Sequence, residues 1–199
     1  WIESRGDSPF FLYVPFTAVH LPVKEPAEWV AKVPAGITGD VARHYAASVM
    51  HLDDAIGRIM ATLEKKGRSE NTIVVFTSDN GGERFSDNWP LVGGKMDLTE
   101  GGIRVPWIAH WPHGIAPGGA SEQLCMTMDW SATMLDVAGV AAHPNYPLDG
   151  VSLAPVLRNA AAQFPRPLFW RMNHRGQCAL RDGDWKYLLV DGHEYLFNL

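Results

Sequence analysis

Two uninterrupted apolar runs constrain the fold of this chain more than any other feature. Residues 10–16 read Phe-Phe-Leu-Tyr-Val-Pro-Phe, and residues 72–77 read Thr-Ile-Val-Val-Phe-Thr. Neither alternates with polar residues, so each suits a strand buried on both faces, as in a parallel sheet covered by helices. Between them a helix is expected over residues 41–66, with Asp40 as its N-cap. Tyr45, Val49, Leu52, Ile56, Ile59, Met60 and Leu63 recur at helical spacing and form one apolar stripe. Lys65 and Lys66 stand at the negative end of the helix dipole, and Gly67 suits the left-handed residue that closes a helix. Strand, helix, strand in that order predicts a right-handed crossover unit and an α/β class.

The pattern continues with a third apolar run over residues 105–110 and a helix over residues 128–137, closed near Gly139. From Leu168 it changes. Short strand candidates at 168–171, 177–181, 185–190 and 194–197 are separated in part by Asp182-Gly183 and Asp191-Gly192, and Asp-Gly is a hairpin signal. A small antiparallel sheet is expected there. The division follows: residues 1–165 as part of an α/β domain, residues 166–199 as the start of a small antiparallel subdomain. With 199 residues, 46% of them hydrophobic, the chain is long enough to bury a core. A net charge of -5 offers no basic footprint, which argues against a nucleic-acid partner. No apolar run reaches the length of a membrane span. The start, Trp1-Ile2-Glu3-Ser4-Arg5, lacks the basic and apolar segments of a signal peptide. Cys125 and Cys178 make neither a disulfide framework nor a metal cluster, and two buried thiols are expected rather than one bridge.

The second run leads into Ser78-Asp79-Asn80-Gly81-Gly82. The C-terminal end of a buried strand is where open α/β sheets place ligands. The Asp79 carboxylate and Asn80 carbonyl are hard oxygen donors suited to Ca²⁺ or Mg²⁺, although Asp and Asn are also ordinary turn formers. Lys95 follows Gly93-Gly94, where its ammonium could meet a sulfate or phosphate as a point charge or simply be solvated. His20, just beyond the first run, has the chemistry of a general acid or an anion ligand, or of a structural histidine. Glu100 and Arg104 are expected to pair and brace the loop carrying Lys95. Asp53 and Asp54 are adjacent on the helix, face different directions and fall outside the site. Trp89, His174 and Arg175 are pocket candidates.

These blocks together, in this order, resemble the sulfatases of the alkaline-phosphatase-like superfamily. The resemblance is carried by Phe10-Phe11-Leu12-Tyr13 with His20-Leu21-Pro22, by Leu52-Asp53-Asp54-Ala55-Ile56-Gly57, and by Asn71-Thr72-Ile73-Val74-Val75-Phe76-Thr77-Ser78-Asp79-Asn80-Gly81. Gly94-Lys95, Glu100-Gly101-Gly102-Ile103-Arg104-Val105-Pro106 and Leu180-Arg181-Asp182-Gly183-Asp184-Trp185-Lys186-Tyr187 extend it over nearly the whole chain. It implies a mostly parallel sheet flanked by helices, followed by a small C-terminal antiparallel sheet. It implies hydrolysis of aryl or carbohydrate sulfate esters, with a related phosphoester or phosphonate hydrolase, or a non-catalytic module, as alternatives. It implies a divalent metal, Ca²⁺ before Mg²⁺, held in part by Asp79 and Asn80. Lys95 would bind a sulfate oxygen, and His20 would contact the bridging oxygen and help the leaving alcohol take a proton. The formylglycine nucleophile arises from a Cys/Ser-x-Pro-x-Arg motif that this chain lacks. The chain therefore reads as about the latter half of a sulfatase, inactive by itself. A periplasmic or secreted location, and homo-oligomers formed through an exposed sheet edge, complete the expectation.

Overall fold

The longest element is helix α2 (Asp40–Lys65), and its limits follow from local chemistry. The structure, a computed structural model, describes residues 1–83 and 85–199. At the C-terminal end of α2 the Gly67 N–H donates to the Glu64 carbonyl at 2.8 Å and the Arg68 N–H to Leu63 at 2.9 Å. Gly67 takes the left-handed conformation that this closure requires, with φ of +65°. At the other end Gly39 holds the capping position without a side-chain bond. Asp40 thus enters the first turn, where its charge meets the helix dipole, instead of capping the helix as expected.

Helix α2 belongs to the first of two units, residues 1–72. A strap carrying helix α1 (Ala27–Val30) is bound to it by three side chains. Arg43 donates to the carbonyls of Val30 at 2.8 Å and Ile37 at 3.0 Å. The His44 Nδ1 accepts the Glu25 N–H at 2.9 Å, and the His51 Nδ1 lies 2.8 Å from the Glu25 carboxylate. Trp29 stacks on His51 with ring centroids 4.4 Å apart. Residues 10–16 depart from the expectation of a buried strand. They form no strand, and Phe11 and Tyr13 are 74% and 76% exposed. A strand needs a neighbour to take its ladder hydrogen bonds, and no strand occurs among the described residues of this unit. The expected crossover unit is accordingly not formed.

The second unit, residues 73–199, opens with strand β1 (Val74–Thr77). It pairs with β2 (Trp107–His110), and the pairing is antiparallel, with Val74 opposite His110 and Thr77 opposite Trp107. The loop between them carries helix α3 (Glu100–Ile103). Helix α4 (Asp129–Val137) follows, closed at Gly139 by the same bonds as α2: Gly139 N–H to Asp136 and Val140 N–H to Leu135. Helix α5 is Ala154–Arg158. The expected C-terminal sheet is present as β3 (Leu168–Met172), β4 (Gln177–Asp182), β5 (Trp185–Val190) and β6 (His193–Asn198), in that spatial order and antiparallel throughout. Asp191 and Gly192 both have positive φ, +50° and +77°, as the two-residue turn between β5 and β6 requires.

One face of that sheet packs Ala179 and Leu188 against Leu98, with Ile103, Trp170, Met172 and Val190 around them. Cys125 and Cys178 are both free thiols, and burial pushes the Cys125 thiol up, with Asp129 adding to the effect. Among the described residues no helix is long and apolar enough to cross a membrane.

A second buried centre lies at Asp129. Its carboxylate accepts the N–H groups of Met126 at 2.7 Å and Val151 at 2.9 Å, and pairs with Arg166 at 2.7 Å. Thr133, one turn on, accepts the Leu153 N–H at 2.8 Å. Removing one partner of a buried ion pair leaves the other uncompensated, so Asp129→Ala should destabilise the protein by about 3–5 kcal/mol. Urea unfolding checks this. An unchanged midpoint would show that the pair carries no structural weight.

Candidate functional site

The candidate site is built where β1 ends. Its strand runs into Ser78 and Asp79, and the chain then turns through Asn80, Gly81 and Gly82 against the loop leading to α3. The Gly81 N–H donates to the Gly102 carbonyl at 2.8 Å, and the Lys95 N–H to the Gly82 carbonyl at 3.0 Å. The two backbones are so close that a Cβ at Gly81 would lie 1.8 Å from the Gly101 oxygen. Gly101 and Gly102 are crowded in turn by the carbonyls of Gly93, at 2.2 Å, and Asp97, at 2.1 Å. Glycine is required here by space, because these neighbours are backbone atoms that cannot rotate away.

Within this interlock Asp79 is exposed and Asn80 half-buried. The Asn80 Nδ2 donates to the Gly81 carbonyl at 2.9 Å, which commits the nitrogen and leaves Oδ1 as the acceptor presented elsewhere. The Ser78 hydroxyl donates to the Asn80 carbonyl at 2.9 Å and closes the turn. An Asp carboxylate beside an Asn carbonyl oxygen fits a hard divalent cation. Two donors do not complete a coordination sphere. Among the described residues no group of three or more His, Cys, Asp and Glu side chains could hold a metal ion. Lys95 is half-buried on the facing loop, bound to the turn through its own backbone N–H.

His20 lies in the first unit, at an exposed bend after Thr17, where its N–H donates to the Thr17 carbonyl at 2.8 Å. Its Nδ1 lies 2.7 Å from the Leu21 carbonyl oxygen. A carbonyl can only accept, so in this contact Nδ1 is the donor.

Several residues that organise this site carry no sequence signal of their own. Asn88 is the first. Its Oδ1 accepts the Gly82 N–H at 3.1 Å, while its Nδ2 donates to the Gly82 carbonyl at 3.0 Å and the Gly93 carbonyl at 3.1 Å. One amide thus fixes the spacing between the Asp79-Asn80 turn and the Lys95 loop. Asp97 accepts the Gly94 N–H at 3.1 Å, and Gln177, buried at the start of β4, accepts the Leu98 N–H at 3.0 Å and donates to the Met96 carbonyl at 2.9 Å. In a sequence an Asn within a loop reads as a turn former, and a Gln in a strand reads as a surface residue. Their roles appear only when the loops are folded together. Arg84, between Glu83 and Phe85 in the sequence, lies outside the described residues.

The expected Glu100–Arg104 brace is corrected. The Glu100 carboxylate pairs with Lys186 at 2.6 Å and Arg181 at 3.3 Å, both on the C-terminal sheet. Arg104 lies just past the end of α3 in an extended conformation, with ψ of 91°, so the i,i+4 stacking that would bring it over Glu100 is not formed. Lys186 is 2% exposed, and burial pulls its ammonium below the ordinary lysine range, with Glu100 acting against that shift. Arg175, a pocket candidate, is held by Asp191 at 2.7 Å and Asp97 at 3.4 Å.

Known proteins resemble this chain in sequence and in fold. The sequence profile of the family described as Sulfatase matches residues 1–140. N-acetylgalactosamine-6-sulfatase of Mus musculus is 37% identical over 174 residues, which are 84% of this chain and 32% of that protein. Arylsulfatase A of Homo sapiens is 35% identical over 192 residues, 92% of this chain and 36% of that protein. The crystal structure of Ps i-CgsB in complex with k-i-k-neocarrahexaose superposes with a TM-score of 0.87 at 32% identity, over 98% of this chain and 44% of that one. The chain therefore spans about a third of the length of these curated relatives. The α/β fold with its small C-terminal antiparallel sheet is that of the alkaline-phosphatase-like sulfatases. By profile, by sequence identity and by fold, this chain belongs to the sulfatase family.

Proposed function

We propose that the full-length protein of which these residues form part hydrolyses sulfate esters, aryl or carbohydrate, and that this chain supplies about half of its site. The observation that carries the reading is the interlock at Gly81 and Gly102, which brings the Asp79-Asn80 turn against the loop of Lys95 in a chain of this family. Asp79 and the Asn80 Oδ1 are two ligands of a divalent cation, Ca²⁺ before Mg²⁺. Bound there, the cation would neutralise charge on the sulfate oxygens. Lys95 places its ammonium on a sulfate oxygen, where a preorganised charge favours the transition state over the ground state. His20 contacts the bridging oxygen and helps the departing alcohol take a proton as the sulfur–oxygen bond breaks. The formylglycine nucleophile is expected upstream of these residues.

In this reading residues 1–165 are the C-terminal part of the catalytic α/β domain and residues 166–199 begin its small antiparallel subdomain. The protein acts in the periplasm or outside the cell on small-molecule or carbohydrate sulfates.

In the full-length protein, Asp79→Ala and Lys95→Ala should each lower kcat/KM for 4-nitrophenyl sulfate on the order of 10²–10³-fold. Asp79→Ala should also raise the Ca²⁺ concentration needed for half-maximal activity. Unchanged turnover in both variants would sink the assignment. Sulfate and phosphate esters of the same phenol should be turned over unequally, with sulfate preferred. A preference for phosphate would favour a phosphoester or phosphonate hydrolase. The isolated 199-residue chain should release no sulfate from either ester, as expected of half a site, and measurable turnover would refute that.

The two-stranded sheet β1–β2 and the outer edges of β3 and β6 leave strand edges unpaired among the described residues. Such edges join edges of other molecules. Light scattering on the isolated chain should find dimers or larger species, and a single monomeric species would contradict this.

A further inference from the structure

The loop that joins the two halves of the candidate site displays a feature that sulfate chemistry does not use. Trp89 is 83% exposed, and among the described residues no large apolar side chain is more exposed. A tryptophan on a loose loop would carry little meaning, because single exposed apolar side chains are common. The backbone that carries this one is held. The Trp89 backbone N–H donates to the Asp87 carboxylate at 2.9 Å, and the turn around it is closed by the Leu91 N–H to the Asn88 carbonyl at 2.8 Å. The preceding residue is Asn88, whose amide bonds both Gly82 and Gly93. The backbone of Trp89 is thus one residue from the group that sets the distance between Asp79-Asn80 and Lys95. The turn that carries the exposed indole is therefore tied to both halves of the candidate site.

We propose that Trp89 is a specificity-determining residue that stacks against a sugar ring of the substrate and selects carbohydrate sulfates over simple aryl sulfates. This rests on the sulfatase reading of the site. A pyranose has an apolar face of C–H bonds, with partial positive charge on the hydrogens. That face complements the negative face of an indole. A sulfated sugar is therefore two-sided in the way this loop is two-sided, with an anion for Lys95 and a C–H face for Trp89. The indole also brings a large contact area with only two side-chain torsions to freeze, so little ordering entropy opposes stacking. Trp130 and Trp107, by contrast, stack on each other at 5.1 Å and are spent on packing.

The test uses the full-length protein and two probes, a sulfated galactan tetrasaccharide and 4-nitrophenyl sulfate, which carries no sugar beyond its ester. Trp89→Ala should raise KM for the tetrasaccharide about tenfold with kcat little changed, the signature of lost ground-state binding. It should leave 4-nitrophenyl sulfate within about twofold by the same reasoning. Trp89→Phe should recover most of the tetrasaccharide KM, because a flat ring is restored. The desulfated tetrasaccharide should inhibit the unchanged protein and lose that inhibition in Trp89→Ala. Equal losses on both probes would overturn the proposal and make Trp89 a structural residue. So would an unchanged KM for the tetrasaccharide. If the unchanged protein turns over neither probe, the sulfatase reading itself fails, and this proposal with it.

Discussion

The approach of two backbones at Gly81 and Gly101 is the constraint on which the site depends. A methyl group at Gly81 would sit 1.8 Å from a carbonyl oxygen, so any side chain there would push the turn and the loop apart. Everything the site offers follows from that contact. The Gly81–Gly102 bond sets the height of the Asp79-Asn80 turn, the Lys95–Gly82 bond sets the facing loop, and Asn88 ties both. Catalytic and binding groups lose effect rapidly when displaced by about 1 Å. Holding them through backbone contact, where no rotamer can relax, is a rigid solution.

The interlock is held from behind by charge. Glu100 opens the short helix α3 and meets Lys186 and Arg181 on the C-terminal sheet, while Gln177 bonds the backbone at Met96 and Leu98. The apolar contact of Leu98 with Ala179 and Leu188 completes the seam. A lysine that is 2% exposed would be costly alone. Its pairing with the Glu100 carboxylate at 2.6 Å compensates that charge and ties the sheet to α3. The antiparallel sheet, read from the sequence as a separate feature, thus works as a backing plate for the loop of Lys95.

What was legible in the sequence was local. The stop of α2 at Gly67 and the Asp191-Gly192 turn follow from steric rules that a few neighbouring residues decide. Asp79, Asn80 and Lys95 could be singled out because glycines flank them. What was not legible depended on partners far along the chain. Glu100 reaches across more than eighty residues to Lys186, and no pattern near Glu100 announces it. Asn88 bonds residues only five and six positions away, yet its role exists only once two loops face each other. Residues 10–16 have the composition of a buried strand, but composition supplies no neighbour to pair with.

The bonds that shape the turn also bear on how long the molecule lasts. Asn followed by Gly is the pair most prone to spontaneous deamidation, in which the glycine nitrogen attacks the side-chain amide carbon and the amide nitrogen departs as ammonia. Asn80-Gly81 is such a pair, placed at the heart of the candidate site. Here the attacking nitrogen is held by the Gly102 carbonyl and the departing one by the Gly81 carbonyl. Ring closure would have to break both bonds and swing a backbone that its glycine neighbours enclose. The geometry that presents Asn80 to a ligand therefore also slows its chemical ageing, and the site keeps time by the same contacts that give it shape.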